Sequence, residues 1–148
     1  MVLETEIQID GGVEQVFAVL ACLEQYCDWL PHSDVHKGIE VLDAGPVQEG
    51  TTYIDRQSGG ADMSGEVCIW NPPHCIGFRQ SIALPIGIVE ARAEFRMEVV
   101  GDGTRVIRRQ TFALPWLVWP MRPIVRMKSR RESLRILDAL KRTVEGPG

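Results

Sequence analysis

The sequence lacks the motifs of the common catalytic folds and the residue spacings that bind metals. It contains no nucleophile elbow, no P-loop and no GxGxxG pattern, so the usual hydrolase, nucleotide and dinucleotide sites are not indicated. Its cysteines, Cys22, Cys27, Cys68 and Cys75, show no CxxC spacing, and its histidines form no HExxH or zinc-finger pair. We therefore expect reduced thiols, no metal and no cofactor.

Long hydrophobic runs are also missing. The longest nearly unbroken one, Ala113–Met121, is far shorter than the ~18 residues that span a bilayer. The opening MVLETEIQID has acids where a signal peptide needs basic and apolar residues. A net charge of −4 does not suggest affinity for nucleic acid. We expect a cytoplasmic protein with no nucleic-acid partner, folded as one domain over residues 1–148.

The charge is unevenly distributed along the chain. From Ala113 onward eight Lys and Arg residues stand against three Asp and Glu residues, so this segment is basic and the remainder is acidic. The simplest interpretation is a solvated helix face that packs on an acidic sheet.

The first third of the chain predicts a strand followed by helices. Leu3–Ile9 alternates apolar and polar residues, as a half-buried strand does. Val13–Leu23 repeats its apolar residues at helical spacing, and a second short helix is predicted at Glu24–Trp29, before Pro31.

The middle of the chain predicts a meander of six strands separated by turn sequences such as NPPH and GDG. They are Val35–Asp43, Thr51–Gln57, Met63–Trp70, Cys75–Ala83, Gly87–Val100 and Thr104–Phe112. The clearest is EARAEFRMEV, in which charged residues alternate with an inward set of Ala91, Ala93, Phe95, Met97 and Val99. One wet face carrying alternating charges indicates an antiparallel sheet.

Two polar residues are predicted to face inward on the last strand. Taking Asp102-Gly103 as the hairpin turn pairs Met97 with Arg108 and Phe95 with Gln110. A buried arginine needs an acid, a carbonyl, water or a ligand as its partner. Asp55 is the candidate acid, if it and Tyr53 face inward. A register error of one residue would instead send Arg108 and Gln110 outside.

A long helix is predicted at Pro123–Glu145, with an apolar stripe of Ile124, Met127, Leu134, Leu137, Leu140 and Val144. The stripe is interrupted between Met127 and Leu134, where Arg130 and Arg131 stand. This defect predicts an opening in the core at which the arginines receive an anionic group. Alternatively, their stems lie along apolar surface and their charges stay in water.

The segment ALPWLVWPMRP, before the helix, concentrates Trp116, Trp119 and aliphatic residues. Four roles stay open for it: a hydrophobic lid, a homodimer patch, a transient membrane contact, or packing on the helix start.

The order and landmarks of these elements resemble the START-like superfamily, also called SRPBCC. The similarity rests on IQIDGGVEQVFAVLACLEQYCDWLP, EGTTY, VCIWNPPHCIGF, GDGTRV and the closing LRILDALKRTVE, and it covers essentially the whole chain. It implies an α+β helix-grip fold, in which a curved seven-stranded antiparallel sheet wraps around the C-terminal helix, with two short helices after the first strand.

The resemblance also implies a cavity for a small hydrophobic molecule such as a lipid, polyketide or quinone-like compound. Binding, with transport as its extension, is the leading function. The alternatives are a polyketide cyclase, aromatase or dehydratase acting on a poly-carbonyl substrate, and a protein-interaction module that uses the PWLVW patch. The ligand-binding residues expected here are Arg108, Gln110, Phe95, Met97, Tyr53, Asp55, Phe78, Trp116, Trp119, Met127, Arg130, Arg131 and Leu134.

Overall fold

The computed structural model describes residues 1–23, 29, 36–43, 45–57, 62–84 and 87–146. The strands are β1 (Val2–Ile9), β2 (His36–Val41), β3 (Thr52–Gln57), β4 (Met63–Asn71), β5 (Cys75–Leu84), β6 (Gly87–Val100) and β7 (Gly103–Ala113). Helix α1 (Val13–Ala21) follows β1, and a 3₁₀ helix (Trp116–Met121) leads into the long helix α2 (Arg122–Glu145). None of the described helices has the length and apolar character needed to cross a membrane.

All seven strands form one antiparallel sheet in the order β1-β7-β6-β5-β4-β3-β2. The predicted helix-grip fold is therefore confirmed: the curved sheet holds the long C-terminal helix, and the predicted strands agree with the observed ones to within two residues at each end. The short helix predicted at Glu24–Trp29 lies largely outside the described residues.

The hairpin between β6 and β7 turns one residue earlier than predicted. Val100 pairs with Gly103, so the turn residues are Gly101 and Asp102, and Gly101 has φ +60°. Glycine occupies this conformation without the steric penalty that other residues meet.

This earlier turn makes the predicted register wrong by two residues. Arg108 pairs with Phe95, not with Met97, and Gln110 pairs with Ala93. A shift of two leaves every side chain on its predicted face, because successive strand residues alternate between faces. Val99, predicted to face the core, is nevertheless 64% exposed.

Helix α2 buries one stripe in its C-terminal half, made of Ser133, Ile136, Leu137, Leu140 and Val144. Its four aliphatic members join the same hydrophobic core as β-strand residues and helix α1.

The predicted burial of Ile124, Met127 and Leu134 is wrong, because they are 43%, 52% and 44% exposed. At ~100° per residue these three lie roughly opposite Ile136 and Leu140, so the sequence contains two apolar stripes and only one faces the sheet.

Helix α2 also covers the free edge of β1. Lys141 Nζ donates a hydrogen bond to the carbonyl oxygen of Gln8 at 2.7 Å, and Arg126 Nη1 donates to that of Val2 at 3.2 Å. An uncovered edge strand is a template for pairing with other chains, so these contacts protect it while they fix the helix on the sheet.

Candidate functional site

A cavity of about 230 Å³ lies between the sheet and helix α2. Every strand from β2 to β7 contributes to its wall, and the helix contributes one acid and one aliphatic residue. The lining residues are Leu23, Trp29, Ile39, Tyr53, Asp55, Met63, Phe78, Gln80, Ala91, Ala93, Phe95, Arg108, Gln110, Phe112, Glu132 and Ile136.

Three aromatic rings form a continuous apolar wall across β3, β5 and β6. The ring centres of Tyr53 and Phe78 are 6.1 Å apart, and those of Phe78 and Phe95 are 6.3 Å apart, both in edge-to-face arrangements. Edge-to-face contacts fix ring orientation, so this wall is a rigid surface against which a planar ligand can lie.

Small residues make the space beside that wall. Ala91 and Ala93 face inward from β6, as Phe95 does, and both line the cavity. A larger side chain at either position would occupy the volume that the two methyl groups leave open.

Arg108 is the buried cation of the cavity. Its residue is only 7% exposed, and its guanidinium carbon lies 5.3 Å from the centre of the Phe95 ring. The carboxyl groups of Asp55 and Glu132 belong to the same cavity wall. A guanidinium in apolar surroundings with carboxylates nearby can bind a ligand carbonyl, phenolate or carboxylate through charge-assisted hydrogen bonds.

Tyr53 supplies a neutral hydroxyl to the cavity. Gln80 Nε2 donates a hydrogen bond to Tyr53 Oη at 3.0 Å. Burial raises the pKa of the Tyr53 phenol well above its ordinary value, and the nearby Asp55 carboxylate raises it further, against the opposing effect of the Gln80 hydrogen bond. The phenol therefore stays protonated at neutral pH and acts as a hydrogen-bonding group, not as a base.

Gln110 presents an acceptor to the same space. Among the residues that the structure describes, its Oε1 atom is buried and has no hydrogen-bond partner. A buried acceptor without a partner is costly, so a ligand hydroxyl or amide that donates to Oε1 would recover that cost.

The structure gathers six of the residues predicted to bind a ligand at the cavity wall: Tyr53, Asp55, Phe78, Phe95, Arg108 and Gln110. Met97 is buried in the core but is not part of the wall. The other six lie on the surface and do not line the cavity: Trp116, Trp119, Met127, Arg130, Arg131 and Leu134.

The sequence predicted an opening at Arg130 and Arg131, between Met127 and Leu134. The cavity instead lies further along α2 and on a different side of the helix. The helix residues at the cavity are Glu132 and Ile136, not residues near Met127 and Leu134. Arg130 and Arg131 are both exposed. The inward face of α2 does carry polar residues, as predicted, but they are Glu132 and Ser133.

Sequence reasoning also missed Gln80, Met63, Phe112 and Glu132. Gln80 lies two residues beyond Phe78 on the same strand, so strand alternation alone could have placed both on one face. The sequence did not predict the direction of Glu132. It faces inward only if the stripe of Ile136 and Leu140, and not that of Met127 and Leu134, packs on the sheet.

Comparison with known proteins agrees with this architecture. The family model described as "Polyketide cyclase / dehydrase and lipid transport" matches residues 1–145. A search of curated protein sequences found no significant match.

Several solved structures share the fold at low sequence identity. An aromatase/cyclase from Streptomyces sp. R1128 superimposes with a TM-score of 0.78 and 19% identity, covering 98% of this chain and 93% of that one. Norcoclaurine synthase from Thalictrum flavum gives 0.75 and 15%, covering 100% and 95%. A hypothetical protein from Helicobacter pylori gives 0.80 and 11%, covering 97% and 88%.

At these identities the structural matches establish the fold alone. The family match spans nearly the whole chain and agrees with the START-like landmarks of the sequence. The chain belongs to the polyketide cyclase/dehydrase and lipid transport family of the SRPBCC superfamily.

Proposed function

We propose that this protein binds a small, mainly apolar molecule bearing an oxygen-containing group, within the cavity between the sheet and helix α2. The observation that carries the proposal is Arg108, a buried cation set in an aromatic wall and facing the same space as two carboxyl groups. Ligand sites are typically apolar clefts in which a few placed polar groups set the orientation.

The cavity volume limits the size of the ligand. About 230 Å³ is below the ~300–1,000 Å³ typical of sites for drug-sized molecules. A compound of one or two fused rings, or a short acyl chain, matches this volume better than a complete membrane lipid does.

The polar groups suggest how such a ligand is oriented. The guanidinium of Arg108 donates to an anionic or carbonyl oxygen, while Oε1 of Gln110 accepts from a hydroxyl. The ring of the ligand then packs on Phe78 and Phe95. A phenol or a hydroxy acid can bond to both Arg108 and Gln110, whereas a plain hydrocarbon can bond to neither.

Titration calorimetry with naphthalene, naphthol and naphthoate tests the proposal, because the three probes share a ring system and differ in their oxygen group. We expect the wild-type protein to prefer naphthol and naphthoate over naphthalene. Arg108→Leu should lower the affinity for naphthoate about tenfold or more, because it removes a charged donor, and should leave naphthalene little changed. Arg109→Leu, on the exposed face of the same strand, is the matched control.

A second pair of variants tests the place of binding. Ala93→Leu should abolish binding of all three probes by filling the cavity, whereas Ala113→Leu, at an exposed position, should not. Equal affinities in Ala93→Leu and wild type would contradict the proposal. Separately, native mass spectrometry of the purified wild-type protein would identify any apolar molecule that remains bound to it after purification.

The same geometry favours a second candidate, cyclisation or dehydration of a poly-carbonyl chain. Asp55 and Glu132 are carboxyl groups and Arg108 is a cation in one cavity. A carboxylate can remove a proton from the carbon between two carbonyls, and Arg108 can stabilise the resulting enolate as it attacks a second carbonyl. The carboxyl group that took the proton can return it to the alkoxide that forms, and dehydration then removes a second α-proton and the hydroxyl group together as water.

Turnover separates the two candidates. If the protein is a cyclase, wild type should convert a synthetic poly-β-keto thioester to a cyclic product, and Asp55→Asn, Glu132→Gln or Arg108→Met should lower the rate at saturating substrate. If it only binds, these variants change affinity and no product forms with any of them or with wild type.

A further inference from the structure

A patch of exposed apolar side chains covers the 3₁₀ helix and the outward stripe of α2 as far as Leu134. We call it the tryptophan surface. Its members are between 43% and 75% exposed, with Trp116 the most exposed at 75%. They are Trp116, Leu117, Trp119, Met121, Ile124, Met127 and Leu134.

The position of this surface follows from the two stripes of helix α2. Ile124, Met127 and Leu134 project away from the sheet, roughly opposite the buried Ile136 and Leu140. A solvated helix ordinarily shows polar residues on that side. Two tryptophans and five other large apolar side chains exposed along the 3₁₀ helix and α2 mark an interaction surface.

Cations flank the apolar residues between Trp116 and Met127, and no acid occurs in this part of the sequence. Between Ala113 and Arg131 the chain carries five Lys and Arg residues and no Asp or Glu, namely Arg122, Arg126, Lys128, Arg130 and Arg131. All five are exposed. At ~100° per residue, Lys128 and Arg130 fall on either side of the stripe formed by Ile124 and Met127.

Local contacts hold the surface in place. The guanidinium carbon of Arg122 lies 5.5 Å from the centre of the Trp119 ring, and Trp119 Nε1 donates to the carbonyl oxygen of Leu114 at 3.3 Å. Arg126 is fixed to the Val2 carbonyl on the edge strand. The Trp119 indole is thus held in place by two local contacts.

We propose that the tryptophan surface docks on the surface of an anionic phospholipid bilayer. Tryptophan concentrates at the membrane interface, where its ring is apolar and its N–H stays hydrated. Lys and Arg beside the apolar residues attract phosphate and acidic headgroups. Helix α2 would lie in the plane of the interface and place its outward stripe, Ile124, Met127 and Leu134, among the upper acyl carbons.

Charge argues against a second copy of the chain as the occupant. A two-fold symmetric contact through this surface would bring Lys128, Arg130 and Arg131 of one protomer against the same three cations of its partner, with no acid between Ala113 and Arg131 to neutralise them. An anionic bilayer supplies the missing negative charge at every position.

Sedimentation with lipid vesicles tests the proposal independently of any cavity ligand. We expect the wild-type protein to bind vesicles of phosphatidylcholine containing phosphatidylglycerol, and to bind pure phosphatidylcholine far less. Lys128→Gln/Arg130→Gln/Arg131→Gln should weaken binding about fivefold for each cation removed. High salt should weaken the wild type in the same way, because it screens charges beyond a few ångströms.

The apolar part of the surface has its own readout. Trp116→Ala/Trp119→Ala should weaken vesicle binding by about tenfold or more through the loss of buried ring area. In wild type, lipids brominated on their acyl chains should quench tryptophan fluorescence, and Trp116→Phe/Trp119→Phe should lose most of that quenching although Trp29 and Trp70 remain.

Matched controls are Val99→Ser for an exposed apolar residue elsewhere and Arg92→Gln/Arg109→Gln for exposed cations on the sheet. Both controls should bind vesicles as wild type does. Equal binding to neutral and anionic vesicles, or equal loss in the controls and the surface variants, would overturn the proposal. So would a dimer in solution that Trp116→Ala/Trp119→Ala dissociates, combined with no vesicle binding.

Discussion

Tyr53 and Gly65 are directly paired across β3 and β4, and the Tyr53 ring lies against the Gly65 backbone where a side chain would otherwise project. A methyl group at position 65 would overlap the ring and come within 2.6 Å of its Oη atom. The glycine therefore makes the space in which a cavity-lining tyrosine lies flat on the sheet.

This contact predicts that Gly65→Ala destabilises the fold by ~1–3 kcal/mol, since the ring is confined by Phe78 and by the Gln80 hydrogen bond and cannot move aside freely. Urea unfolding measures the change. Ser64→Ala, at the exposed neighbouring position, is the control and should cost little. Tyr53→Leu should relieve the overlap, so the Gly65→Ala/Tyr53→Leu double variant should lose less stability than the two single changes added together.

The buried phenol predicts a pH dependence of stability on the alkaline side. Because burial raises the pKa of Tyr53, the folded protein keeps a proton that the unfolded chain releases near its ordinary value of ~10. The free energy of unfolding should therefore be unaffected by this group below that pH. It should fall as pH rises towards the folded pKa, by up to ~1.4 kcal/mol per pH unit.

Tyr53→Phe isolates this contribution. The variant should have a shallower alkaline decline than wild type in urea unfolding between about pH 9 and pH 11. Cys75, whose pKa burial and the Glu94 carboxylate raise to about 11, titrates in the same direction. Cys75→Ala should therefore be measured beside it. Identical slopes in wild type and Tyr53→Phe would show that the phenol is not buried.

Helix α2 gives a prediction from two leucines one turn apart. Leu137 is 1% exposed and Leu134 is 44% exposed, although the sequence places both in one apolar stripe. Leu137→Ala should lower the free energy of unfolding by ~2–5 kcal/mol by opening a cavity in the core, while Leu134→Ala should change it by less than ~0.5 kcal/mol. Similar losses at the two positions would mean that the helix is rotated about its axis.

The same helix shows why sequence reasoning succeeded with the sheet and failed with the site. Along β6 only one face is apolar, so alternation fixes the direction of Phe95 whatever the register. In the helix, Leu134 and Ile136 each continue an apolar series at helical spacing. Only the packing against β1 decides between them, and that is a tertiary contact that no local pattern contains.

The hairpin illustrates a milder failure of the same kind. Gly101-Asp102 and Asp102-Gly103 are both good turn sequences, and the choice between them moves the partner of Arg108 from Phe95 to Met97. Because either choice leaves Arg108 facing inward, the inward polar residues were predictable although their contacts were not. The cation–π contact with Phe95 needed the structure.

A last prediction concerns the hydroxyl pair that joins the edge strand to the helix. Thr5 Oγ1 and Ser133 Oγ are 2.6 Å apart, and the two residues are 6% and 0% exposed. Removing one hydroxyl leaves the other buried without its partner, so Thr5→Val and Ser133→Ala should each cost ~1–3 kcal/mol. Removing both eliminates the unsatisfied group, and the double variant should therefore be more stable than the sum of the single losses predicts.

A double-mutant cycle by urea unfolding measures this coupling, which we expect to be about 1 kcal/mol. Thr111→Val, at an exposed position on β7, is the control for the threonine-to-valine change and should show no coupling to Ser133→Ala. Strictly additive losses at Thr5 and Ser133 would contradict a direct hydrogen bond. They would mean that α2 is held on β1 by its apolar stripe and by Lys141 and Arg126 at the strand edge, without this buried polar contact.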